Sequence, residues 1–210
     1  MKFFAILTLM VVALASAPLR VPSTSLPAQN TWTIDSGHSS VVFKIKHVGT
    51  SWFYGMFNSI SGSFRLSPEP DADNKIDLLI DAGSIDTRDK KRDQHLLSPD
   101  FFDAKQFPDI TFKSTSVTPT KAKAQDNAQD VAGTAYQVEG DLTLLGVTKK
   151  VSVLVEKTGE GEFYGKRVGY EVTFKIKRSD FGMDFGITQK MLGDEVVLMV
   201  AVEGVFDEDK

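Results

Sequence analysis

The chain has 210 residues, 41% of them hydrophobic, and its 24 Lys and Arg against 28 Asp and Glu give a formal net charge of −4. That length supports one ordinary core without a metal or disulfide staple. With no cysteine, a disulfide framework, a CxxC redox pair, thiolate metal ligation and a lipidated cysteine are all excluded. The basic residues are scattered along the sequence, which argues against nucleic acid or an acidic membrane surface as a partner.

The N-terminus carries Lys2 and an apolar run from Phe3 to Ala15 broken by Thr8, the length of a signal-peptide core and too short to span a bilayer comfortably. Residues 1–17 are expected to be a signal peptide cleaved after Ala15 (Ala13-Leu14-Ala15) or after Ala17 (Ala15-Ser16-Ala17). Residues 18–30, rich in Pro, Ser, Thr and Ala, read as a flexible leader, and residues 31–208 as one domain. No later stretch is long enough to span a membrane, so a periplasmic or secreted location is expected.

From Thr31 onward the pattern is alternation with period 2, as half-buried strands require. Val41, Phe43, Ile45 and His47 share one face against Lys44 and Lys46. Ile60, Gly62, Phe64 and Leu66 come next, followed by Ile76, Leu78 and Ile80. Ile110 and Phe112 precede Tyr136, Val138, Leu142 and Leu144; Val151, Val153 and Val155 follow the turn at Gly146. The set ends with Val168, Tyr170, Val172, Phe174 and Ile176, and with the apolar run Val196 to Val202. These eight strands predict an all-β chain: one eight-stranded antiparallel, lipocalin-like barrel with room inside for a small ligand, with a packed two-sheet sandwich as the competing arrangement. Thr118 to Thr134, polar and without pattern, is expected to be a long hairpin loop. A short helical segment is expected near residues 88–103: Asp86-Thr87 can cap a helix from Arg88 to Leu97, and Ser98-Pro99-Asp100 reads as a second start. Phe101, Phe102 and Phe107 would then cover one barrel end.

Several blocks resemble the YceI-like family of exported polyisoprenoid-binding proteins. The opening blocks are Asp35-Ser36-Gly37-His38-Ser39-Ser40-Val41-Val42-Phe43, His47-Val48-Gly49, Gly55-Met56-Phe57 and Gly62-Ser63-Phe64. The middle adds Ser84-Ile85-Asp86-Thr87, Arg92-Asp93-Gln94-His95-Leu96, Ser98-Pro99-Asp100-Phe101-Phe102-Asp103, Phe107-Pro108, Thr111-Phe112 and Ser114. Gly140-Asp141-Leu142-Thr143-Leu144-Leu145-Gly146-Val147-Thr148-Lys149 and Glu203-Gly204-Val205 complete the series. The resemblance runs from Thr31 to Phe206 and departs from the family at Thr118–Thr134 and Phe181–Gly186. It implies a barrel interior that takes a long apolar chain such as a polyisoprenoid, a quinone tail or a fatty amide, and it allows a homodimer.

Bulky residues on the inward parity cannot all pack on one another in so small a barrel. Phe43, Ile45, Phe64, Leu78, Phe112, Tyr136, Leu142, Tyr170 and Phe174 are therefore expected to line a tunnel, with His47 inward either as a core histidine or at a ligand's polar end. Arg92, Asp93 and His95 supply an anion binder, an acid and a base. They lack a partnering nucleophile, so they read as a network holding the helix, with Arg92 and His95 as the candidate head-group contacts. If their strand is unbroken, His38 and His47 face opposite sides of the sheet, and His95 has no second histidine at ligand spacing; no metal and no cofactor is expected. A lipid carrier or sequestering protein leads. An enzyme using His47 or His95 as base competes with it, as does a ligand-free envelope protein presenting Trp52, Phe53 and Tyr54 to a partner.

Overall fold

The computed structural model describes residues 31–69, 72–121 and 134–206. The expected signal peptide, its cleavage sites, the leader and the end of the domain at 207–208 lie outside the described residues, as do residues 122–133 of the expected loop. Among the described residues, no helix is long and apolar enough to cross a membrane.

The described residues form eleven strand segments: β1 Trp32–Ile34, β2 Ser40–His47, β3 Ser51–Phe57, β4 Ile60–Arg65, β5 Lys75–Asp81, β6 Ile85–Asp86, β7 Asp109–Lys121, β8 Thr134–Leu144, β9 Val147–Glu162, β10 Lys166–Lys177 and β11 Leu192–Phe206. The short helix α1 spans Lys90–Leu96. Every pairing is antiparallel, and β11 touches β10 on one side and both β1 and β2 on the other, so the sheet closes on itself. Three staves of the closed barrel are each built from two segments, β1 with β2, β3 with β4, and β5 with β6. Eight staves result, in the order of an up-and-down meander.

The interruptions have a shared local cause. Asp35 accepts a hydrogen bond from the Gly37 amide at 3.0 Å, and Asp81 accepts one from Gly83 at 2.7 Å. The Ser39 and Ser84 hydroxyls then donate to the Asp35 and Asp81 carbonyls at 2.7 and 2.6 Å. An aspartate that bonds its own backbone two residues on offers the chain an alternative to the ladder, and each motif winds a short 3₁₀ turn, Ser36–His38 and Ala82–Ser84. Between them, Asn58 and Ser59 donate to the Ser84 carbonyl and hydroxyl, at 3.1 Å each, which carries the break across the middle stave.

Three sequence expectations are corrected. Trp32–Ile34 and Ser51–Phe57 are strands that the apolar alternation did not reveal, the first because it is short and the second because aromatics occupy both faces. The expected loop begins later than Thr118, since β7 continues to Lys121 with Thr118, Pro119 and Thr120 paired to Gln137, Tyr136 and Ala135. The helix starts at Lys90 because Asp89 caps it, accepting from the Lys91 and Arg92 amides at 3.0 and 3.1 Å. Ser98 accepts from the Asp100 amide at 3.4 Å as a cap does and donates to the His95 carbonyl, but turns and not a second helix follow it.

Three phenylalanines explain why the lumen is open. A Cβ on Gly55 would lie 2.3 Å from the Phe43 ring, one on Gly140 2.4 Å from Phe112, and one on Gly204 2.4 Å from Phe64. The Phe43 and Phe112 rings lie against a glycine of the adjacent strand and Phe64 reaches across β1 to one on β11, so each lines the wall instead of filling the axis.

Candidate functional site

The barrel encloses a cavity of about 440 Å³, within the usual range for small-molecule sites. Its long wall is aliphatic and aromatic. On β10 and β11, Tyr170 pairs with Val202, Val172 with Val200, Phe174 with Leu198 and Ile176 with Val196, and all eight side chains face inward. Five of the six exposed wall residues, His47, Arg92, His95, Phe185 and Met191, lie at the end where α1, the β2–β3 hairpin and the β10–β11 connection meet, and this end is the mouth; the sixth, Glu171, lies midway along β10.

Of the residues expected to line a tunnel, Phe43, Ile45, Phe64, Leu78 and Phe112 stand on the cavity wall, as do Leu142, Tyr170 and Phe174. Tyr136 does not. It is 1% exposed, packs its ring edge-on against Tyr170 at 6.1 Å, and shares a hydrogen bond with the Tyr170 side chain. Burial pushes both phenols upward in pKa, so both stay protonated. His47 is on the wall but exposed, because β2 ends there; it is a rim residue and not a core histidine.

At the mouth, Arg92 donates through Nε to the Thr87 hydroxyl at 2.8 Å and through Nη2 to the Thr87 carbonyl at 2.6 Å, while its guanidinium lies 4.4 Å from the Phe53 ring centre. Asp93 accepts from the Thr87 amide at 2.9 Å. His95 turns elsewhere, with Nε2 2.9 Å from Asp100 and its ring edge-on to Phe101 and Phe185. The trio is therefore divided between two networks. Phe101 and Phe102 line the cavity beneath α1; Phe107 instead packs over Gly146 on the outside of the β8–β9 turn. The expected Trp52–Phe53–Tyr54 patch is split by strand alternation: Trp52 and Tyr54 are exposed on the outer face, and Phe53 points to the cavity.

Two groups were missed by sequence reasoning. Arg178 is 2% exposed and reaches the cavity wall, where it donates to the carbonyls of Gly193, Met183 and Phe185 at 2.8, 2.9 and 2.8 Å. Its signal was present, for position 178 continues the inward parity of Tyr170 to Ile176. The second group lies at the opposite end, where β1, β10 and β11 bring Asp35, His38, Arg167 and Glu203 together. Asp35, His38 and Glu203 hold ligand-type atoms within 4.8 Å of one another. Arg167 Nη1 binds both carboxylates, with 2.9 Å to Asp35, so a fixed cation already compensates them. Because His38 sits in a 3₁₀ turn, the unbroken strand assumed for it does not exist.

The hydrogen bond from Arg167, and then that from His38, holds Asp35 down at about 2, below the ordinary 3.8. A carboxylate depressed in the folded state stabilises the fold above its unfolded value and loses that contribution as pH falls toward the folded one. The stabilisation is thus expected to be complete above about pH 5 and lost on descending from about pH 4 to about pH 2. Asp35→Asn should flatten this part of the acid profile, read as melting temperature against pH for both proteins. Parallel profiles would show that Asp35 does not govern it.

The chain matches the YceI-like domain over residues 32–204. It is 37% identical over 193 residues to a UPF0312 protein of Photorhabdus laumondii, covering 91% of this chain and 93% of that one. Its structure is similar to the crystal structure of Burkholderia cenocepacia BcnA, with a TM-score of 0.65 at 27% identity over 81% of this chain and 98% of the other. It also shares the fold of a polyisoprenoid binding domain from Saccharophagus degradans implicated in plant cell wall breakdown, with a TM-score of 0.63 at 13% identity, covering 85% and 99% of the two chains.

Proposed function

Since the chain belongs to the YceI-like family, we propose that it is an exported lipid-binding protein that holds a polyisoprenoid or similar long-chain amphiphile in its barrel without altering it. The observation that carries this reading is the apolar barrel cavity of about 440 Å³, whose mouth carries His47, Arg92 and His95 beside apolar side chains. Ten methylenes buried there contribute about 8 kcal/mol, enough for micromolar binding before ordering costs. In this reading Phe43, Ile45, Phe64, Leu78, Phe112, Leu142, Tyr170 and Phe174 contact the chain. His47, Arg92 and His95 meet its head group, and Tyr136 acts behind the wall by orienting Tyr170. The binding domain from Saccharophagus degradans lends the fold to the argument. Export to the periplasm or beyond rests on the N-terminal sequence.

Native mass spectrometry of protein from its own envelope fraction, followed by organic extraction, tests the proposal. A stoichiometric isoprenoid, quinone or fatty amide, recovered chemically unchanged after incubation with the protein, is the expected result. An empty protein that also fails to take up added polyprenyl lipid would overturn it, and an altered lipid would move the reading to an enzyme.

A further inference from the structure

We propose that the mouth end docks on a lipid surface, an inference that rests on the lipid-binding reading and adds where the ligand enters and leaves. The exposed apolar residues of this end are contiguous with the lumen. Phe185 and Met191 belong to the cavity wall and yet are 38% and 46% exposed. Val48, 50% exposed at the tip of the β2–β3 hairpin, donates its amide to the Met191 carbonyl at 2.8 Å, which joins the hairpin to the rim. Isolated surface apolar residues are ordinary; a contiguous set beside an apolar opening is not.

Val48 also contradicts the local chemistry of its turn. It and Gly49 have φ of 45° and 70°, a conformation that β-branched residues avoid and for which asparagine is favoured ahead of glycine. Folding alone does not call for an exposed valine there. Trp52, 41% exposed, pairs with Lys46 one rung below the hairpin's closing pair, and the Lys46 ammonium lies 4.7 Å from its ring centre. A tryptophan beside a cation suits the boundary between lipid and water.

The charge at this end fits the same partner. Lysines far apart in sequence, Lys46, Lys90, Lys91 and Lys190, are gathered around the mouth by the fold, which the scattered sequence pattern did not suggest. Among the described residues, Lys90, Lys91 and Lys190 form no ion pair. Of the acids on these elements, Asp89 caps α1, Asp93 holds Thr87 and Asp100 holds His95, while Asp180 and Asp184 stay exposed on the β10–β11 connection. An anionic bilayer would meet a set of free ammonium groups. The opposite end exposes Phe163 and Tyr164, but they do not reach the cavity wall. A rim seated in lipid lets an apolar chain pass between bilayer and barrel without being hydrated, whereas a seat at Phe163 would leave the mouth in water.

The sequence has two tryptophans, and the fold places Trp32 at the far end and Trp52 at the mouth. Trp32→Phe and Trp52→Phe therefore each leave one reporter. With vesicles of brominated phosphatidylcholine and phosphatidylglycerol, Trp52 emission should be quenched and Trp32 emission should not. Val48→Asn should weaken vesicle association about fivefold, the loss of half a valine's burial, without lowering the melting temperature. Quenching of Trp32 instead, quenching of neither, or association untouched by Val48→Asn would overturn the docking proposal. Uptake of cis-parinaric acid in vesicle-free solution separates the two readings: a protein that takes up no probe fails the lipid-binding reading, and one that takes it up without Trp52 quenching fails only the docking.

Discussion

Val172→Phe combined with Val200→Phe is expected to raise the dissociation constant for a long-chain probe about 100-fold while leaving the melting temperature unchanged or higher. The two valines are direct cross-strand partners on β10 and β11, and both face the cavity. Replacing an isopropyl group by a benzyl group in a filled core costs about 1–3 kcal/mol, because neighbours must move. Here the inner side of each valine borders open space, so the rings can stack beside Phe174 without displacing the wall. The volume they take is volume the ligand chain loses. Three or four excluded methylenes, at about 0.8 kcal/mol each, amount to the predicted loss of affinity. Titration with a fluorescent fatty probe and a thermal melt on the same sample check both halves. Unchanged affinity would mean that the chain does not lie along β10 and β11; lost affinity with a collapsed melting temperature would mean that the lumen was never free.

The barrel was legible in the sequence where burial is one-sided. Val41 to His47 and Val168 to Ile176 alternate cleanly because each strand has a wet face and a cavity face, and β10 and β11 are paired along Arg167 to Lys177 with no slip. It was not legible where that condition fails. Ser51–Phe57 places Trp52, Tyr54 and Met56 outside and Phe53, Gly55 and Phe57 inside. Aromatic residues on both faces erase the alternation, and the inward glycine, there to receive the Phe43 ring, reads as a turn. The wall residues could be named because inward parity suffices to name them. Tyr136 shares that parity and is nonetheless sealed behind Tyr170, a matter of barrel curvature that a period of 2 does not encode. The Asp35–Arg167–Glu203 cluster joins residues 132 and 36 positions apart: the β10–β11 ladder brings Arg167 to Glu203, and the closure of β1 on β11 adds Asp35.

Arg178→Met is expected to cost about 3–5 kcal/mol, a large share of the stability of an ordinary domain, and Arg178→Lys to recover only part of it. The residue opens the 3₁₀ turn Arg178–Phe181 directly after β10 and is 2% exposed, so its charge has left water almost entirely. Burial pushes its pKa down, and Asp194 and Asp184 oppose the shift; a guanidinium keeps its proton in proteins. What compensates the burial is the fork of donors: Nε, Nη1 and Nη2 each meet a different carbonyl, those of Gly193, Met183 and Phe185. Methionine fills the space but orphans three carbonyls, and each hydrogen bond to a charged donor is worth about 1.5–3 kcal/mol. A lysine ammonium is a point charge without the planar fork and cannot reach all three in one geometry. Because two of the three carbonyls belong to the β10–β11 connection that carries Phe185 and Met191, the same substitution should loosen the rim and speed release of a bound probe. Urea unfolding read by Trp52 fluorescence, with stopped-flow release of cis-parinaric acid, checks both effects. A loss under about 1 kcal/mol would show that packing of Phe181 and Met183 holds the connection by itself. Faster release at undiminished stability would instead place Arg178 in contact with the ligand's head group.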